Sequence, residues 1–113
     1  MKEIRPWGAY TIVGTDPLFQ IKKITVNPGH QTSLQSHEKR SEHWIVVSGV
    51  ATVTLAHQTI TLKAQETIFI KAKEKHRLSN EGGVPLILIE VQTGTYFGED
   101  DITRFEDDYG RDG

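Results

Sequence analysis

The chain has 113 residues, a formal net charge of −2 and no cysteine; this fits one domain that buries a core without disulfides and leaves any metal to His, Asp, Glu or Gln. So even a charge balance gives no basic face of the kind that nucleic acid or a membrane surface selects, and neither partner is expected. The start, MKEIRPWGAY, has no apolar h-region and no run approaches a membrane span, so no signal peptide is expected and a cytoplasmic protein is the default.

In chain order, Pro6-Trp7-Gly8 reads as an entry turn, with Trp7, like Trp44 further on, a core or dimer-interface aromatic. Strands are then expected over AYTIVG (9–14), FQIKKITVN (19–27), EHWIVVSG (42–49), VATVTLA (50–56), QTITLK (58–63), ETIFIK (66–71) and PLILIEVQ (85–92). Each is rich in Val, Ile, Thr or aromatics, and Asp16-Pro17, Pro28-Gly29, Ser48-Gly49, Glu81-Gly82-Gly83 and Thr93-Gly94 punctuate them. Val53 and Leu55 alternate with Thr52 and Thr54, then Ile60 and Leu62 with Thr59 and Thr61, which predicts a hairpin turning at His57-Gln58 with one buried face. Many short strands at close spacing predict a sandwich or small barrel. The end, GEDDITRFEDDYGRDG (98–113), is acidic, but Ile102, Phe105 and Tyr109 recur at helical spacing. A short helix or turn docked on the barrel is expected there, with the last residues loose.

Ligand-forming side chains crowd SLQSHEKRSEHWIVVSG (33–49). Gln35 and His37 are two apart and share a face of a strand. Glu42 opens the next strand after a short connection, and antiparallel pairing of the two would bring it within bridging distance. His76, after ETIFIK, could re-enter the same interior. Two imidazoles, a carboxylate and an amide oxygen make a mixed nitrogen and oxygen site suited to zinc, iron, manganese or a related divalent ion.

The spacing resembles the first motif of the cupin superfamily. Gly29, five residues, Gln35-Ser36-His37, four residues, Glu42, six residues and Gly49 follow it throughout, with Gln35 at the first histidine position. The second motif ends in His76-Arg77-Leu78-Ser79-Asn80, while its usual Gly, Pro and Gly are replaced by Gln65, Lys71 and Lys73. RPWGAY (5–10), IKKITVNPG (21–29), HRLSN (76–80) and IEVQTGTYFGEDDITRFEDDYGR (89–111) are similar to the type II phosphomannose isomerase cupin, often the C-terminal module of bifunctional isomerase and mannose-1-phosphate guanylyltransferase enzymes. Gln in the Gln-x-His pair is typical of that branch.

The resemblance implies an all-β fold, a single-domain cupin jelly-roll barrel over 1–113 with a short docked tail at 98–113. It implies a mannose-6-phosphate isomerase, interconverting mannose 6-phosphate and fructose 6-phosphate through a cis-enediol. Gln35, His37, Glu42 and His76 would hold the divalent ion, zinc first, with iron, manganese, cobalt or nickel as alternatives. The partner would be a small-molecule sugar phosphate, and the assembly a homodimer. Arg40, Arg77, Lys22, Lys23 and Arg104 are candidates for the phosphate, with Arg40 and Arg104 favoured. His43 is kept with these two among the catalytic candidates, although alternation turns it to the opposite face, to pack beside Trp44 or to support the site from outside. Asp100 and Asp101 would hold sugar hydroxyls if the tail closes over the barrel mouth. Guanylyl transfer is not expected of this chain by itself. Two other readings stay open: a non-catalytic sugar or sugar-nucleotide binding cupin serving a separate guanylyltransferase, and another metal-dependent cupin enzyme such as a dioxygenase or nucleotide-sugar isomerase.

Overall fold

The computed structural model describes residues 2–110, which contain no helix. The strands are β1 (Lys2–Arg5), β2 (Gly8–Asp16), β3 (Phe19–Val26), β4 (Leu34–Ser36), β5 (Arg40–Ser48), β6 (Ala51–Leu55), β7 (Gln58–Leu62), β8 (Thr67–Ile70), β9 (His76–Ser79), β10 (Leu86–Gly94) and β11 (Thr103–Glu106). They form two antiparallel sheets, β1-β2-β3-β10-β5-β8 and β11-β4-β9-β6-β7. The expected all-β barrel is borne out, and Val26, Trp44, Val46, Val53, Leu78 and Leu88 pack between the sheets.

Every expected strand is present. The hairpin turns one residue early, at Ala56-His57, because Leu55 pairs with Gln58 and Ala56 takes the left-handed conformation, φ 55°. The chain adds β1, β4, β9 and β11, too short for alternation to stand out from their polar surroundings.

The tail departs from expectation. Residues 103–106 are a strand, with Thr103 opposite Ser36 and Arg104 opposite Gln35. Backbone pairing to β4 overrides the helical spacing of Ile102, Phe105 and Tyr109, because an open sheet edge offers inter-strand hydrogen bonds, whereas so short a helix is marginal by itself. Tyr109 still packs against the core, and its hydroxyl lies 2.7 Å from His30 Nδ1. The expectation of a loose end extends over residues 111–113, which lie outside the described residues.

Three neighbouring strands explain how one barrel holds both a core and a site. Their inward residues change from apolar to polar in the same direction: Val26, Ile24, Lys22, Gln20 on β3; Leu86, Leu88, Glu90, Gln92 on β10; Val46, Trp44, Glu42, Arg40 on β5. Register aligns them into rows, first Ile24, Leu88 and Val46, then Lys22, Glu90 and Trp44, then Gln20, Gln92 and Glu42. A one-residue slip of any of the three would turn its polar set to the outer face.

The motif glycine Gly49 has φ +89°, and a Cβ there would lie 2.9 Å from the Pro85 carbonyl oxygen, so the turn after β5 needs glycine. In the weaker half of the motif the same logic runs through other residues. Gln65 and Lys73, standing where glycines are usual, both adopt left-handed backbone, φ 77° and 73°. The turns form without glycine, at a cost of order 1 kcal/mol each.

Candidate metal centre

His37 follows β4, Glu42 lies on β5 and His76 begins β9. The first and third come from one sheet and Glu42 from the other, so the trio meets across the barrel interior and not, as the sequence suggested, across a pair of adjacent strands. All three are buried. One donor atom from each lies within 4.8 Å of the others. Glu42 Oε2 is 3.4 Å from His37 Nε2, and Glu42 Oε1 is 3.7 Å from His76 Nε2.

Backbone carbonyls fix both imidazoles. His37 Nδ1–H donates to the Asp101 carbonyl at 2.7 Å, and His76 Nδ1–H donates to the Glu74 carbonyl at 2.9 Å. Each Nε2 therefore carries its lone pair toward Glu42, the tautomer a metal ligand needs. Two nitrogen lone pairs and a carboxylate, converging as buried groups with their outer nitrogens held, fit a divalent cation. Gln35 sits opposite His76 in the β4–β9 pair and lines the same cleft.

The cleft has a volume of about 630 Å³, part of it open to solvent, and is lined by four cationic side chains, Arg5, Lys22, Arg40 and Arg104. Arg40 is buried. Its Nε donates to Glu42 Oε2 at 3.0 Å and its Nη2 to His37 Nε2 at 3.3 Å, while Nη1 has no hydrogen-bond partner. Arg104 is half-buried, and its Nε also lacks a partner. Of the other cations expected here, Lys22 is buried in the cleft. Lys23 is exposed, and Arg77 is tied to the Thr32 carbonyl and Glu106.

His43 does not reach the cleft. It is exposed on the outer face of β5 with its ring 4.4 Å from that of Phe69; strand alternation decides this, and the contact is with Phe69 of β8 instead of Trp44. Asp100 and Asp101 also lie outside it. Asp101 accepts from the backbone N–H groups of Glu38 and Lys39, both at 3.0 Å, and Asp100 accepts from the Tyr96 hydroxyl. Asp101 thus latches the tail to the loop that carries His37.

Sequence reasoning passed over Glu90 and Glu99. Glu90 had a signal: it and Gln92 continue the inward frame of Leu86 and Leu88. Trp44 Nε1–H is shared between Glu42 Oε1 at 3.0 Å and Glu90 Oε1 at 2.9 Å, and Gln92 Nε2 donates to Glu90 Oε2 at 2.6 Å. The two carboxyls separate in acidity. Burial pushes Glu42 up, but His76, His37 and Arg40 outweigh it and hold it at about 2. Burial and the Glu42 charge push Glu90 up to about 8, so it is protonated at neutral pH and shares a hydrogen bond with Glu42. Burial pushes His37 below the usual imidazole value.

These shifts set a pH dependence of stability. The lowered Glu42 contributes stability that is lost as pH falls through its folded value of about 2, and the lowered His37 stabilises more as pH rises toward 6.5. The raised Glu90 acts oppositely: its contribution is complete below its unfolded pKa and is lost as pH rises to about 8. Between the ordinary His pKa and that of folded Glu90 it dominates. In chelator, the unfolding free energy of the wild type is expected to fall by up to ~1.4 kcal/mol per pH unit from about 6.5 to 8. Glu90→Gln removes the slope, which urea unfolding across that range checks; an equal slope in both proteins would remove Glu90 as its source.

A family model described as mannose-6-phosphate isomerase, C-terminal, matches residues 1–107. The xanthan biosynthesis protein XanB of Xanthomonas campestris pv. campestris is 54% identical over 110 residues, 97% of this chain and 24% of the relative. The mannose-1-phosphate guanylyltransferase ManC of Salmonella typhimurium is 48% identical over 107 residues, 95% of this chain and 22% of the relative. The chain thus spans about a quarter of the length of these curated relatives. Among solved structures, the capsular polysaccharide assembling protein CapF of Staphylococcus aureus superposes with a TM-score of 0.80 at 20% identity, over 94% of this chain and 34% of that one, a likeness of fold.

Proposed function

Because the chain belongs to the mannose-6-phosphate isomerase C-terminal family, we propose that it is a divalent-metal-dependent aldose–ketose isomerase interconverting mannose 6-phosphate and fructose 6-phosphate, a step of mannose and GDP-mannose metabolism in the cytoplasm, and that it works as a homodimer. The observation that carries this is the convergence of His37 Nε2, Glu42 and His76 Nε2 at the floor of a cleft walled by cations.

His37, Glu42 and His76, with Gln35 beside them, would hold the ion. When bound, a divalent ion polarises the sugar carbonyl and stabilises the charge that develops as the carbon proton leaves; zinc suits this donor set, as do iron, manganese, cobalt and nickel. The chain's own part is orientation and charge. The Asp101 and Glu74 carbonyls keep both imidazole lone pairs inward. Arg40, Lys22 and Arg104 offer cations to a phosphate, and Arg40 Nη1 and Arg104 Nε are buried donors without a protein acceptor, as a subsite for an oxyanion needs. Trp7, Ile24 and Leu78 give the cleft an apolar wall, which would limit the access of bulk water. His43, on the outer face, takes no part.

The test is a coupled assay on mannose 6-phosphate after chelation, with zinc, manganese, cobalt, nickel or iron(II) added back. Turnover restored by at least one ion is expected; no turnover with any refutes the reading. The span of this chain within a guanylyltransferase supports a second reading, a sugar-phosphate binding module serving such an enzyme. Saturable mannose 6-phosphate binding without turnover would select it.

A further inference from the structure

Glu99 comes from the turn between β10 and β11, and its half-exposed carboxylate reaches back into the cleft. Its Oε2 accepts from Lys22 Nζ at 2.7 Å and lies 3.9 Å from Arg40 Nη1, both of those side chains being 5% exposed. Lys22 Nζ also stands 4.1 Å over the Tyr10 ring, so its ammonium is held in place and has little water of its own. Arg40 Nη1 is buried with no hydrogen-bond partner; at 3.9 Å the Glu99 carboxylate balances its charge without accepting from it. One acid, carried on a segment anchored by Asp101, thus neutralises Lys22 and stands beside Arg40, whose Nε already pairs with Glu42, while Arg40 Nη1 stays unsatisfied. A phosphate has three terminal oxygens and would satisfy both.

We propose that Glu99 is an internal counter-anion occupying the phosphate subsite of the cleft, and that a phosphate monoester binds by displacing it from Lys22 and Arg40. The subsite rests on the functional reading above for its substrate class, but not for its chemistry. Three consequences follow from the geometry. The subsite is kept charge-balanced when empty, which spares the protein an unpaired buried lysine. Dianionic ligands are selected over monoanions, since only they outcompete a carboxylate already in place. The residues around Glu99, reached through the same turn, move when ligand enters.

The experiment is calorimetric titration of the full chain with inorganic phosphate, and separately with chloride. Glu99→Gln removes the competing charge and keeps the shape, so its dissociation constant for phosphate is expected to fall at least ~10-fold below that of the wild type. Lys22→Met, which removes the ammonium and keeps an unbranched side chain, is expected to weaken binding at least ~10-fold in either background. Chloride should produce no comparable heat. An unchanged or weaker phosphate affinity in Glu99→Gln overturns the proposal, as does failure of both proteins to bind phosphate. Because no turnover is read, a protein without isomerase activity can still show the gain, and an active isomerase can fail to show it.

Discussion

His76→Ala is expected to lower divalent-ion affinity at least ~100-fold, more than the loss typical of an outer-shell residue, and to abolish the isomerase turnover proposed above. The side chain supplies an Nε2 lone pair 3.7 Å from Glu42 Oε1, in a tautomer set by the Glu74 carbonyl. Alanine deletes one of the three converging donors. The fold should survive. His76 packs edge-on to Trp44 at 5.7 Å and beside His37 at 5.2 Å, so its loss costs about 1–3 kcal/mol, against a core that supplies most of the stability. The control is His43→Ala, one position from Glu42 in sequence yet on the outer face. Elemental analysis and the coupled assay should find the His43 variant unchanged. Metal retained in His76→Ala, or lost in His43→Ala, would place the centre elsewhere.

Arg40→Leu should have the larger effect on stability. Arg40 is the cation that balances Glu42 when no divalent ion does, bonding its carboxylate at 3.0 Å and occupying the His37 Nε2 lone pair at 3.3 Å. Leucine fills part of the space and removes the guanidinium paired with a carboxylate that is 2% exposed. Removing one partner of a buried pair costs about 3–5 kcal/mol, which lowers the melting temperature in chelator by roughly 12–40 °C at about 4–8 °C per kcal/mol. A divalent ion takes over the charge that Arg40 balanced, and it no longer has to displace Arg40 from His37. The deficit against the wild type should therefore shrink by ~1 kcal/mol or more in saturating zinc or manganese. Differential scanning calorimetry with and without the ion decides this; a gap that stays constant or widens would mean that Arg40 and the ion do not compete for the same two side chains.

These expectations describe a site with two charge states. Without an ion, Arg40 serves as the counter-cation to Glu42, and Glu99 as the counter-anion to Lys22 and Arg40. The interior stays neutral enough to fold, while each of these pairings uses a group that ligand or metal would claim.

Two of the three candidate ligands, His37 and Glu42, were legible in the sequence because their signal is local, whereas His76 stands far downstream. Gln35, His37 and Glu42 stand at fixed intervals between Gly29 and Gly49, and the alternation of β5 alone turns Glu42 inward and His43 outward. The hairpin of β6 and β7 was legible for the same reason, displaced by the one residue that Ala56 takes up with its positive φ. The tail was misread because Ile102, Phe105 and Tyr109 fit a helical period, whereas the free edge of β4, which draws residues 103–106 into a strand, is no property of those residues.

By itself, then, the sequence determined which residues alternate, where glycines end the strands and which side chains can ligate a cation, since each depends on neighbours within a few positions. Tertiary structure alone decided that Lys22, Glu90 and Trp44 share a row, that Glu42 meets the two imidazoles from the opposite sheet, and that Glu99 returns to pair with a lysine 77 residues away. Strand register and loop return are set by pairings between distant segments, and the charges they bring together shift one another's acidity only once the barrel has excluded water from between them.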